Sequence, residues 1–351
     1  MSMTREELQD SARRAFGEDG LVPDAAKSWG LVSEMGWLMM AVPEDLGGLG
    51  LGNDAAGVIH AELGRALVPG PAIAQLLVIE ALASAHSVDG RDALLEQAMA
   101  GEVMTASLKP SPLQVRGLGE GPVRNSSVGG QTPPLKGRGT LSCVPDADRA
   151  SQVLVVASDR IALVPLEGAK VTHRQTWDET RRLFDVTVVA DGLTLATGDD
   201  AAALTDRLDA QLAFALAGDS IGAADGVLEL TIEYLKTRRQ FDRPLALFQA
   251  LKHRIADMRI WLSAAEALFW SRAAHASADA MAMGALKAHA TTAARMIAEE
   301  AIQLHGGIGV TMEHPCHLFL KRTMLNCALG GDNDRWEETA GRRALAAFGA
   351  G

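Results

Sequence analysis

The stretch "TRRQFDRPLALFQALKHRIADM", residues 237–258, sets two adjacent arginines, an aromatic and a proline between two helix-like runs. Proline fixes its own φ and removes a backbone donor, so the helix leading into the cluster is not expected to run on through it. After it, apolar residues return at three- and four-residue intervals. The cluster is a break between two helices, and a guanidinium beside an aromatic suits a phosphate-bearing ligand.

Outward from this break the chain divides into three textures. Downstream and just upstream, the spacing predicts long helices over about 200–236, 244–273, 278–304 and 334–348, with a shorter one over 313–322. Short turns join them, which favours an antiparallel bundle. Residues 103–197 read as short β-branched runs, "VMTASL", "LSCV", "QVLVVAS", "IALVPL" and "LFDVTVVA", separated by Gly, Pro, Asp and Asn. Within them, "GLGEGPVRNSSVGGQTPPLKGRG" is loop-like in composition. Residues 1–102 are again helical: "REELQDSARRAF", "AAKSWGLVSEMGWLMM", "NDAAGVIHAELGRAL", "PAIAQLLVIEALASAH" and "GRDALLEQAMA", with the Gly/Pro-rich "AVPEDLGGLGLGN" as a turn region. The expected architecture is α+β, mostly α: an N-terminal helical domain (1–102), a small, shortened middle β-domain (103–197) and a C-terminal helical bundle (198–351).

The 351 residues suffice for a substantial core, and 48% hydrophobic with only 4% aromatic residues favours helix packing. A formal net charge of −11 argues against nucleic acid or an anionic membrane as partner. No apolar run reaches membrane-spanning length, and "MSMTREELQD" has no apolar signal core. Three irregularly spaced cysteines, Cys143, Cys316 and Cys327, fit a reducing cytosol rather than a disulfide framework. "HPCH" at 314–317 lacks the spaced second ligand pair of a zinc site, so no metal is expected there.

Three stretches together resemble the acyl-CoA dehydrogenase family: "LVSEMGWLMMAVPEDLGGLGL" (31–51), "YLKTRRQFDRPLALFQALKHRIADM" (234–258) and "AIQLHGGIGVTMEHPCHLFLKR" (301–322). Singly, an Arg-Arg pair at a helix end is a solvated face or a dipole partner, and "HGG" is a C-cap. Jointly, at this separation, they carry the resemblance over nearly the whole chain. It implies FAD as cofactor, an acyl-CoA substrate and an electron-transfer flavoprotein as electron acceptor. By the same resemblance Arg238 meets the pyrophosphate, Phe241 packs on the dinucleotide, and Gln249 is a further flavin contact. Gln303 hydrogen-bonds the cofactor, while Gly306 and Gly307 admit the adenosine diphosphate. In the family these groups reach into the neighbouring subunit's FAD, which implies at least a dimer.

The catalytic base is where this sequence departs. Removing a proton next to a thioester carbonyl needs a positioned carboxylate. The two positions where family members carry that Glu fall here on Gly331, in "NCALGGDNDRWEE" (326–338), and on Leu212, in "DAQLAFALAG". Asp332 is one residue from the first and is the weak candidate for a displaced base; Asp209 lies near the second. The sheet domain has "SLKPSPLQ", with Lys109 and Pro110, where self-sufficient members show Thr-Glu-Pro followed by Gly-Ser-Asp. The chain is therefore similar to the base-lacking subunit of actinobacterial heterotetrameric acyl-CoA dehydrogenases of steroid catabolism, whose partner subunit carries the catalytic Glu. Two other readings stay open at this point: a self-sufficient homomeric enzyme with a displaced carboxylate, and a non-catalytic structural member of the family.

Overall fold

The computed structural model describes residues 4–17, 20–86, 88–108, 140–274 and 279–349. Lys109, Pro110 and the Gly-rich stretch after them lie outside the described residues. Five helices come first: α1 (Arg5–Gly17), α2 (Ala25–Glu34), α3 (Gly52–Arg65), α4 (Ala72–Ser84) and α5 (Arg91–Met99). The Asp24 carboxylate caps α2 by accepting from the Ala26 and Lys27 amides at 3.0 and 2.9 Å. The helix expected over 25–40 stops at Glu34, because Gly36 takes a φ of +69° and a separate 3₁₀ turn carries Trp37–Met39.

Strands β1 (Met104–Ala106), β2 (Thr140–Pro145), β3 (Gln152–Val156), β4 (Arg160–Pro165), β5 (Lys170–Arg174), β6 (Leu183–Thr187) and β7 (Leu193–Thr197) follow. They form two sheets, ordered β1-β3-β4-β7 and β2-β6-β5, with β1 parallel to β3. Period-two alternation explains the packing. Leu154, Ile161 and Leu163 face the N-terminal helices, while Val153, Val155, Ala162 and Val164 face Phe184 and Val186 between the sheets.

The C-terminal part begins with α6 (Gly198–Thr237), followed by the hairpin of β8 (Arg239–Gln240) and β9 (Arg243–Pro244). Helices α7 (Gln249–Ala273), α8 (Ala280–His305), α9 (Cys316–Ala328) and α10 (Asn333–Gly349) complete the bundle. Two expected bounds shift. The helix expected from 244 begins at Gln249, since a 3₁₀ turn at Leu245–Leu247 and an extended Phe248 intervene. The helix expected over 313–322 runs from Cys316 to Ala328. The mostly helical α+β class read from the sequence holds.

Helix α6 crosses α3 with backbone against backbone. A Cβ on Gly64 would sit 1.9 Å from the Asp219 carbonyl oxygen, and one on Gly222 would sit 1.7 Å from that of Ala61. Neither position has room for a side chain.

A buried ionic cluster joins all three parts. Arg322 on α9 lies 3.2 Å from Asp219 on α6 and 3.8 Å from Asp178, before β6. Its guanidinium also donates to the Val68 carbonyl at 2.8 Å and to Thr180 Oγ1 at 3.0 Å. Arg181 pairs with the other Asp219 oxygen at 3.0 Å, and Asn326 donates to Asp219 at 2.7 Å. Burial, helped by the Arg322 charge, pushes Arg181 down to about 10. Burial tends to raise the Asp219 carboxyl, but the two guanidiniums overcome it and hold it below the usual range.

Replacing Asp219 by Asn takes away the carboxylate that the two buried guanidiniums share, leaving only Asp178 near them. The expected loss is about 3–5 kcal/mol of unfolding free energy in a denaturant titration. His60, 3% exposed between α3 and α6, is pushed by burial from 6.5 down to about 4. The unfolded chain therefore binds a proton at this site before the folded one does. Stability is full above pH 6.5 and falls as the pH drops to 4, by up to about 3 kcal/mol from this group. A His60→Gln variant should show a flatter melting-temperature profile across that window.

Candidate functional site

Arg238 sits at the end of α6, its extended backbone stopping the helix while its N–H donates to the Tyr234 carbonyl. The hairpin beyond pairs Arg239 with Pro244 and Gln240 with Arg243, leaving Phe241 and Asp242 as a two-residue loop. Both have positive φ, +52° and +61°. Such a turn normally takes Asn-Gly, and a phenylalanine there costs about 1–2 kcal/mol. The ring is 83% exposed. The strain thus holds an aromatic out at the hairpin tip. Phe248 braces it edge-on at 6.1 Å between centroids and itself lies under the Arg243 guanidinium at 4.0 Å. The Arg238 side chain has no hydrogen-bond or ion-pair partner among the described residues.

Gln303, Gly306 and Gly307 stand at the end of α8, all exposed. Gly306 caps the helix at φ +67°, and a Cβ on either glycine would meet nothing within 4 Å. The Tyr234 hydroxyl donates to the His305 carbonyl at 3.3 Å, and the two rings stack at 4.4 Å. The ends of α6 and α8 therefore lie together. An ion pair from Arg254 to Glu300 brings the first turns of α7, where exposed Gln249 sits 3.4 Å from the His253 ring, to the same end. All six residues expected to contact a cofactor occupy one outward-facing end of the bundle. None of them lines the clefts of about 670, 520 and 460 Å³ found elsewhere on the described residues. Leu247, Val310 and Met312, on the same elements, are exposed as well.

The two base positions are filled differently. Leu212 is 3% exposed and belongs to the core shared by the N-terminal helices and the sheet. Gly330 donates its N–H to the Leu108 carbonyl at 2.8 Å, with Leu212 and Leu216 packed on its α-carbon. Gly331 is buried at φ +86°. Trp336 Nε1 donates to the Gly330 carbonyl at 2.9 Å, and the fully buried Lys287 donates to that of Gly331 at 2.6 Å. Lys287 also donates to the Cys327 carbonyl and Asn333 Oδ1, and burial pushes its amine down to about 8. Asp332 points outward, its carboxylate accepting the Arg335 amide at 2.9 Å as the cap of α10. Asp209 is buried, with its charge near Arg335.

Sequence reasoning missed two features. Lys287 lies inside "MGALKAHA", where one lysine on a helix gives no sign of burial. The other is a cluster: His314 and Cys316 are joined by His305, from the "QLHGG" motif, with ligand atoms within 4.8 Å of one another. Eight residues of chain between His305 and His314 hid that meeting.

Comparison with known proteins agrees with this layout. Residues 2–102 match the acyl-CoA dehydrogenase N-terminal domain, and residues 210–345 match the acyl-CoA dehydrogenase C-terminal domain. Acyl-CoA dehydrogenase IpdE2 of Mycolicibacterium smegmatis is 30% identical over 335 residues, 92% of this chain and 93% of that protein. Its namesake from Mycobacterium tuberculosis is 34% identical over 295 residues, 84% and 79% of the two chains. Among solved structures, a variant of the Tcur3481–Tcur3483 steroid ACAD superposes with a TM-score of 0.80 at 28% identity, covering 99% of this chain and 98% of that one. A chain of the ChsE4–ChsE5 complex from Mycobacterium tuberculosis shares the fold, with a TM-score of 0.78 at 23% identity over 98% and 99%. With helices, a small pair of sheets and a helical bundle in that order, and with both domain families matched, the chain belongs to the acyl-CoA dehydrogenase family of oxidoreductases.

Proposed function

We propose that this chain is the base-lacking subunit of a heteromeric, FAD-dependent acyl-CoA dehydrogenase. In this reading it completes a flavin site whose catalytic Glu belongs to a second acyl-CoA dehydrogenase subunit. The observation that carries the reading is an asymmetry: the six residues expected to contact a cofactor are exposed together at one end of the bundle, while the base positions are packed shut.

The residues present fit FAD. Arg238 offers a guanidinium with no partner among the described residues, whose fork of donors matches a pyrophosphate. Gly306 and Gly307 leave open space over the backbone for close approach. Exposed Gln303 and Gln249 supply amides, and Phe241 supplies a flat apolar face. Bound FAD supplies the hydride acceptor for α,β-dehydrogenation. This chain's residues bind and orient it across the subunit boundary and shield it from water. They move no proton, because Gly331 and Leu212 have no titratable atom. Asp332 is used as a helix cap, so the geometry does not favour the self-sufficient alternative. A bulky, steroid-derived acyl-CoA as substrate is supported by the 28% identity to the steroid ACAD, and an electron-transfer flavoprotein would take the electrons onward.

The test begins with visible absorption of the chain purified alone and with its base-bearing partner. A colourless chain and a yellow, active complex are expected; a yellow chain, active alone, overturns the reading. In the complex, Arg238→Ala should release FAD, whereas Asp332→Asn should leave turnover within about twofold, since Asn also caps helices. Restoring a carboxylate by Gly331→Glu should fail. The position needs φ +86°, and its Cβ would lie 3.0 Å from Trp336 Nε1. We expect a loss of about 1–3 kcal/mol of stability and no turnover by the chain alone.

A further inference from the structure

Tyr234 stands four residues before Arg238 on α6, and its half-buried side chain reaches the end of α8, where it meets His305. We propose that Tyr234 is a positioning residue for the cofactor: stacked on His305, it sets the spacing between Arg238 and the Gly306–Gly307 turn so that both meet one FAD. The inference rests on the flavin reading and adds to it a residue that acts through two of its members.

Tyr234 is bonded to both arms of the site. Its carbonyl accepts the Arg238 N–H at 2.8 Å, the bond that ends α6 as the chain turns into the hairpin. The Arg238 carbonyl in turn accepts the Leu245 N–H at 2.8 Å, so the far side of the hairpin is tied to the same point. On the other arm, the Tyr234 hydroxyl donates to the His305 carbonyl at 3.3 Å, in the peptide that joins His305 to Gly306. The two rings lie 4.4 Å apart between centroids, with 27° between their planes. His305 is a fixed platform: it is 4% exposed, and its Nδ1–H donates to the Ala301 carbonyl at 2.7 Å. The His314 ring lies 4.4 Å from it and meets Tyr234 edge-on at 6.0 Å, completing a group of three rings.

Groups from separate helices serve one dinucleotide only when their separation is held, to about 0.5 Å for a productive constellation. Helix ends fray, and the two arms stand at two of them. The apolar core shared by α6 and α8 reaches Leu235 and Leu304, just short of the arms. Beyond it, the Tyr234–His305 stack joins the last turn of one helix to the last turn of the other. A tyrosine does this at low entropic cost, because its ring is fixed by only two side-chain torsions. Without the ring, Arg238 and the glycine turn present the same groups at a separation no longer set in advance. FAD must then order them as it binds, which costs affinity.

The test is a double-substitution cycle on FAD affinity, read from the quenching of flavin fluorescence as the flavin-stripped complex with the base-bearing partner is titrated with FAD. Unchanged affinity in Arg238→Ala overturns the flavin reading and this inference with it. Where Arg238→Ala does weaken FAD, Tyr234→Leu should weaken it by more than about fivefold, and Tyr234→Phe, which keeps the ring, by less than about threefold. The two losses should not multiply: in Tyr234→Leu combined with Arg238→Ala, the loss should fall short of the product of the single losses by more than about threefold, since residues that act through one another are not additive. A tyrosine that only supports the fold gives the full product. If the leucine variant does not assemble, Tyr234→Gln takes its place in the cycle with the same expected values. A smaller loss in Tyr234→Leu, a phenylalanine variant as weak as the leucine one, or losses that multiply overturn the proposal and leave the flavin reading standing.

Discussion

Everything else in the molecule is arranged around Asp219 and the two guanidiniums that share it. A carboxylate on α6 is 2% exposed, with Arg181 from the strand domain on one oxygen and Arg322 from α9 on the other. Charges in such a setting are tolerable only when each is matched and hydrogen-bonded. That demand fixes where the parts sit. The Val68 carbonyl ties in the N-terminal helices, Thr180 and Asp178 the strand domain, and Asn326 the last turns of α9. Removing any one part would take a hydrogen-bond or charge partner from this buried cluster, which ties the three together energetically.

From that anchor the chain runs two ways. Three residues beyond Asn326 it enters the Leu329–Gly331 bend, which Leu108, Trp336 and Lys287 hold by its own backbone groups. The neighbourhood that would need an open cleft is instead closed by packing. At the far end of α6, Arg238, the Phe241 tip and the Gly306–Gly307 turn face outward with little to bond to. Packing has thus separated a closed interior from an unfinished exterior. A carboxylate beside Gly331 in sequence gains nothing from its proximity, because the backbone directs it to the start of α10.

Much of this could be read without coordinates, where the signal was local. Helical spacing located each α-helix of the described residues, since the apolar stripe and the Gly or Pro that ends it are contiguous in sequence. The outward-facing residues were legible because two motifs carry them. Strand β5 was not: "KVTHR" is an edge strand, largely exposed, and has no apolar face to alternate. Strand β7 was taken for the tail of the block, because Gly and Asp flank it on both sides. The stretch 239–244 was legible only as a break between two helices and not as a hairpin, for the positive φ at Phe241 opposes what Phe prefers. Arg322, Lys287 and His305 show the same limit. Each has its meaning in partners far along the chain, and one sequence does not reveal which charge will be buried.

The contact between α3 and α6 has a mechanical consequence. With Gly64 against the Asp219 carbonyl and Gly222 against that of Ala61, there is no side chain between the helices to slide or repack. Helix α6 is a 40-residue rod held fast near its middle. At about 1.5 Å per residue, Arg238 lies roughly 24 Å beyond Gly222 and Leu212 roughly 15 Å before it. Along this one helix the exposed tip and the closed interior lie on opposite sides of a backbone contact that admits no side chain.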